Sequence, residues 1–161
     1  MTLENKPVPA VNAQRFAGKW YSLTSIPTPL DKNWRETIDI YSLQKDGSYD
    51  VLTPYRKAGE TKQREIRSKL FQVKGGNGSR MKAQLLWPFK IDYWVIELAD
   101  DYSYCVVGHP KAKYLFIMSR TPTINPQLLR GIITRCKAMG YATENLQSQD
   151  HVGVTQLKSR G

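Results

Sequence analysis

Four segments in the second half of the chain decide its fold: Arg80–Trp87 (RMKAQLLW), Ile91–Leu98 (IDYWVIEL), Tyr102–Val107 (YSYCVV) and Lys113–Ser119 (KYLFIMS). Each has the length of a strand and is rich in aromatic and branched residues. The links between them are short: Pro88-Phe89-Lys90, Asp100-Asp101 and Gly108-His109-Pro110-Lys111. Links of this length join antiparallel neighbours, because a parallel connection needs a crossover of a dozen or more residues. The same pattern extends toward the N-terminus. Gly75-Gly76-Asn77-Gly78 separates Arg80–Trp87 from the run Thr61–Val73, and Lys57-Ala58-Gly59-Glu60 separates that run from Tyr49–Tyr55. Lys45-Asp46-Gly47-Ser48 makes a tight hairpin link to Thr37–Leu43, and Gly18–Ile26 comes first. Eight strands in simple succession result.

One segment after the strands is helical. Asn125 followed by Pro126 reads as an N-cap and a first helical residue. Leu129, Ile132, Ile133 and Cys136 then fall on one apolar stripe, and Gly140 is a natural stop. A helix after eight meandering strands packs against the outside of their sheet. The expected fold is all-β: an eight-stranded antiparallel up-and-down β-barrel with one C-terminal α-helix outside it. Closure removes the exposed sheet edges, and eight strands enclose room for side chains or one small ligand. A flattened sandwich would show longer Greek-key connections. By this reading residues 1–15 are a flexible lead, 16–150 the barrel plus helix, and 151–161 a polar tail with at most a short ninth strand beginning near Leu146.

Composition narrows the function. The chain has 161 residues, enough for one domain with its own core. Its formal charge of +10 first suggests nucleic acid. The aromatics pattern inward, however, whereas a nucleic-acid barrel of OB type displays them on an outer face, so nucleic acid is disfavoured as a partner. Two Cys and two His are too few for a disulfide scaffold or a zinc ribbon, and no metal or cofactor is called for.

Strand alternation assigns the lumen. In Arg80–Trp87, Met81, Ala83, Leu85 and Trp87 alternate with Lys82 and Gln84 and point in. In Tyr49–Tyr55 the inward set is Tyr49, Val51, Thr53 and Tyr55, and the strand before it contributes Ile38 and Tyr41. In Ile91–Leu98, facing Glu97 to water turns Trp94, Ile96 and Leu98 inward. For Tyr102–Val107 the pattern alone settles neither face.

Three motifs in register carry a family resemblance. Gly18-Lys19-Trp20-Tyr21 opens the first strand as the G-x-W of lipocalins does; Asp100-Asp101-Tyr102-Ser103-Tyr104 lies where that family links its sixth and seventh strands; Arg120 follows the eighth strand. Tyr114–Ile124 is especially similar to bacterial lipocalins and their apolipoprotein D-type relatives, and the likeness spans Phe16 to Gln149. The middle motif lacks its Thr, having Ala99-Asp100-Asp101. The resemblance implies a binding or transport protein, not an enzyme, for a hydrophobic or amphiphilic molecule such as a fatty acid or lysophospholipid. It implies a periplasmic, cell-envelope or secreted location, although Met1–Pro7 contains no apolar signal region and no lipidated Cys.

The resemblance also fixes faces. Sharing parity with Arg120 puts Tyr114, Phe116 and Met118 inside, with Leu115 and Ile117 under the helix, and the family register places Cys105 and Val107 inside. Gly18, Trp20 and Arg120 are structural: the indole plugs the closed end, and the guanidinium stacks on it while bonding nearby carbonyls. Cys136 on the outer helix is then too far from Cys105 to pair, so both thiols are expected free. The competing enzymatic reading makes Cys105 a lumen nucleophile, yet no base or helix N-terminus is evident to activate it. The links at the open end carry Arg35, Arg56, Lys57, Lys90, Lys111 and Lys113, which form a basic mouth suited to an anionic headgroup or an anionic membrane surface.

Overall fold

The computed structural model describes residues 2–151. The eight expected strands form β1 (Gly18–Ile26), β3 (Ile38–Leu43), β4 (Tyr49–Lys57), β5 (Arg64–Gln72), β6 (Arg80–Gln84), β7 (Ile91–Leu98), β8 (Tyr104–Gly108) and β9 (Leu115–Ser119). Each pairs antiparallel with the next, and β9 returns to β1, closing an eight-stranded barrel. Two two-residue strands supplement it. β2 (Trp34–Arg35) pairs with β4 at the open end, and β10 (Gln147–Ser148) adds to β1. The Asp46-Gly47 hairpin forms as its residues dictate: Gly47 takes φ +88°, and the Asp46 carboxylate accepts from the Ser48 amide and hydroxyl.

The helix lies outside the barrel as α2 (Pro126–Ala138), after a four-residue turn of helix, α1 (Ala13–Phe16). The Asn125 side chain accepts from the amides of Gln127 and Leu128, which supplies the N-cap. Ile132 and Cys136 are fully buried against Ile96, Val106, Leu115 and Ile117 on the outer wall. A bidentate pair, Arg135 Nε and Nη2 to Glu97 at 2.7 and 2.8 Å, pins the helix to β7, and the Tyr104 hydroxyl donates to the same carboxylate.

The N-terminal lead is tied down rather than loose. Leu3 N–H donates to Ala138, Val8 N–H to Val95 and Val11 N–H to Asn77, while Asn5 joins the Tyr141 hydroxyl to the His109 carbonyl. These bonds join groups far apart in sequence, so no local pattern announces them. The expected polar tail 151–161 lies outside the described residues except for His151, which is buried against the Tyr21 ring and bonded to the Ser22 carbonyl at 2.8 Å.

Candidate functional site

The barrel has one closed and one open end, and the closed end is built from the first motif. The fully buried Trp20 donates its indole N–H to the Phe16 carbonyl at 2.9 Å. Phe16 in turn packs against Tyr41 and Tyr49. Arg120 lies 3.7 Å above the Trp20 ring and donates to the carbonyls of Lys19, Arg15 and Tyr102 at 2.8, 2.7 and 3.3 Å. Gly18 has φ +101°, and a Cβ there would stand 3.3 Å from the Arg120 guanidinium. The glycine therefore serves both the backbone turn and the close approach.

Above this floor is a cavity of about 650 Å3 whose mouth is lined by the links following β1, β6 and β8. Its size falls within the range of roughly 300–1,000 Å3 typical of small-molecule sites. Tyr41, Val51, Thr53, Ala83, Leu85, Val107, Tyr114, Phe116 and Met118 line it. Met81, Cys105, Tyr49 and Leu98 also face inward, within the packed core beneath. Tyr55 is buried too, stacked 3.9 Å from Trp34, which covers it.

Four assignments change. Trp94 and Ile96 lie on the outside, in the layer beneath α2, while Tyr93 and Val95 face in. The cause is a β-bulge: the β7–β8 register shifts between Val95 and Glu97, so Ile96 and Glu97 both point out and Leu98 returns to the interior. Trp87 is 85 % exposed, because β6 ends at Gln84 and alternation no longer governs the chain beyond it. Ile38 does not line the cavity. It is three residues from Tyr41, and a regular strand puts such residues on opposite faces.

The inward face occupied by Tyr41 also carries Asp39, the most consequential residue that pattern reading passed over. Asp39 sits opposite Trp20 in the β1–β3 register, near the closed end, and accepts from the Thr53 hydroxyl at 2.7 Å. What exposure it has is to the cavity. Burial pushes its carboxyl up from 3.8 to about 6, and the Asp31 charge adds to this against the Thr53 bond. Beside it the Tyr41 and Tyr93 hydroxyls share a hydrogen bond of 2.7 Å, and burial raises both phenols well above their ordinary value. On β5, Ile66, Ser68 and Leu70 also line the cavity, their alternation with Arg67 and Lys69 being the signal that marks them.

At the mouth, Lys113 lines the cavity together with His109 and Asp31. Asp31 is held by the Thr28 amide and hydroxyl at 2.7 and 2.6 Å. The other expected cations are disposed differently. Arg56 is engaged by Glu36 and the Glu60 carbonyl, Arg35 bonds the Trp34 carbonyl, and Lys90 lies over the Phe71 ring. Lys57 and Lys111 are exposed and do not line the cavity. Four large apolar side chains at the mouth, Leu30, Leu86, Phe89 and Ile91, are exposed to solvent.

Both cysteines are free and buried, Cys105 inside the barrel and Cys136 beneath the helix. Burial pushes the Cys105 thiol well above its ordinary value, outweighing the lowering by Arg120, and Cys136 up to about 12. Neither is poised as a thiolate. Among the described residues no group of three or more His, Cys, Asp and Glu could hold a metal ion.

Known proteins agree with this geometry. The outer membrane lipoprotein Blc of Vibrio cholerae is 29% identical over 142 residues, covering 88% of this chain and 83% of its own length. Temperature-induced lipocalin-1 of Arabidopsis thaliana is 26% identical over 152 residues, covering 89% and 81%. Among solved structures, insecticyanin from Manduca sexta superposes with a TM-score of 0.71 at 15% identity, covering 93% of this chain and 86% of its own. Lobster apocrustacyanin A1 gives 0.70 at 15% identity, covering 86% and 79%. Such distant structures establish the fold, while the sequence matches the lipocalin-like domain across residues 11–151, a span that contains the whole barrel and helix. The chain belongs to the lipocalin family, whose members bind small hydrophobic ligands.

Proposed function

We propose that this lipocalin binds one single-chain amphiphile, a fatty acid or lysophospholipid, with the chain in the lumen and the headgroup at the mouth. The cavity carries the reading: it is deep, mostly apolar, closed at the Trp20 end, and large enough for one lipid chain but not several. Binding then draws on apolar area removed from water, at roughly 25 cal/mol per Å2. At the mouth Lys113 is the cation placed to meet an anionic headgroup, and Asp31 is the opposing charge. The exposed apolar rim and the net charge of +10 fit exchange of that ligand with an anionic membrane surface. A cell-envelope setting, like that of the outer membrane lipoprotein relatives, suits such exchange. The raised Cys105 thiol, with no activating base, favours binding over catalysis.

The test is a displacement titration with hexadecanoic acid and hexadecanol. In Lys113→Glu the acid should lose about tenfold in affinity, or about 1.4 kcal/mol, while the alcohol stays unchanged. Equal losses, or none, would show that the mouth does not read the headgroup.

A further inference from the structure

Resting on the chain-first reading above, the polarity of the cavity walls is uneven. Leu70, Ala83, Val107, Phe116 and Met118 make most of the walls apolar, interrupted by the hydroxyls of Ser68, Tyr93 and Tyr114, of which that of Tyr114 lacks a partner. The side formed by β1, the segment before β3, β3 and β4 instead presents Ser22, Thr37, Asp39 and Thr53. These four are neighbours: the Ser22 amide donates to the Thr37 carbonyl, Asp39 is two residues beyond Thr37, and the Thr53 hydroxyl donates to Asp39. Ser22 and Thr37 are more than nine-tenths buried, and their hydroxyl oxygens have no hydrogen-bond partner in the protein. Leaving a buried polar group unsatisfied forfeits its hydration with no return, and a carboxylate accepts up to about four hydrogen bonds. Among the described residues no basic side chain forms an ion pair with Asp39; the acidic neighbour whose charge reaches it is Asp31, and Tyr41, Tyr93 and Cys105 are the other titratable groups nearby.

We propose that this polar wall is a second subsite, which receives a hydroxyl carried at the buried end of the ligand chain. A hydroxyl donates to Asp39 and accepts from Ser22 or Thr37, so it satisfies both kinds of group at once. A methyl end satisfies neither. A second carboxylate would meet Asp39 as a like charge, and an ammonium would forfeit far more hydration than a hydroxyl. The ligand class is therefore a chain with a polar group at each end, an ω-hydroxy acid being the simplest case.

The experiment compares a homologous series of medium- and long-chain fatty acids with their ω-hydroxy counterparts, by displacement of a fluorescent fatty acid from the full chain. At the chain length that reaches the closed end, the ω-hydroxy acid should bind the wild-type protein at least as tightly as its parent. A uniformly apolar lumen would instead weaken it by about tenfold or more. In Asp39→Leu, and in the near-isosteric double variant Ser22→Ala/Thr37→Val, the ω-hydroxy acid should fall about tenfold behind its parent. A tenfold penalty at every chain length in the wild type, or the same preference in all three proteins, overturns the subsite and leaves the amphiphile reading standing. Failure of the parent acids themselves to bind overturns both.

Discussion

Replacing Asp39 by Asn should make the protein more stable at alkaline pH and leave it nearly unchanged at acid pH. Asn keeps the shape of the side chain and an oxygen for the Thr53 hydroxyl, but cannot ionise. In the unfolded chain the carboxyl titrates near 3.8, in the barrel near 6. A carboxyl whose folded value is raised binds its proton more tightly when folded. Its contribution is therefore most favourable below 3.8, declines as pH rises through the interval to about 6, and is constant above it. At about 1.4 kcal/mol per pH unit the full interval corresponds to about 3 kcal/mol. The pH 4 end already lies slightly inside the interval, so between pH 4 and pH 8 the variant should gain about 2–3 kcal/mol on the wild type. Urea unfolding of both proteins at each pH measures this, and taking the difference cancels the titration of groups that Asp39 does not reach, His151 among them. In thermal melts the gain would be about 4–12 °C for a domain of this size. A difference that stays within about 0.5 kcal/mol from pH 4 to pH 8 would refute a desolvated carboxyl in the lumen.

Three further outcomes follow from the same contacts. Arg120→Ala removes the stack on Trp20 and three carbonyl bonds, and should cost about 2–4 kcal/mol in urea unfolding; a loss below 1 kcal/mol would contradict its role as the clasp of the closed end. Glu97→Gln weakens the link between α2 and β7 by about 1 kcal/mol, modest because Arg135 is partly exposed, and should speed amide exchange in the helix before it affects the barrel. At pH 8 both thiols should resist iodoacetamide in the folded protein and react together once it is unfolded, as peptide mass mapping would show; modification of Cys105 alone in the native state would reopen the enzymatic reading.

Most of the barrel was legible because its physics is local. Alternation puts Met81, Ala83, Val51 and Thr53 on one face of their strands, and that face is the inner one; short links make consecutive strands antiparallel neighbours. The N-cap of α2 could be read from Asn125-Pro126. The errors arose where local order breaks. A bulge at Ile96 reversed the parity of Trp94 and Ile96 while leaving Leu98 correct, and nothing in IDYWVIEL marks where the extra residue goes. Trp87 looked like the end of a strand that had already stopped. The basic mouth thinned in the folded protein because Arg56 and Lys90 found partners across the surface, leaving Lys113 on the cavity. Asp39 was the instructive omission: it shares a face with Tyr41, so the alternation that admits the tyrosine also admits the carboxylate.

Isothermal titration with hexadecanoic acid tests most directly whether the lumen accepts one lipid chain, using the wild type and an Ala83→Trp variant whose indole occupies the cavity while circular dichroism confirms the barrel. The expected result is saturable one-to-one binding in the wild type that weakens at least about tenfold in the variant. No saturable binding to the wild type, or equal binding to the filled barrel, would contradict it.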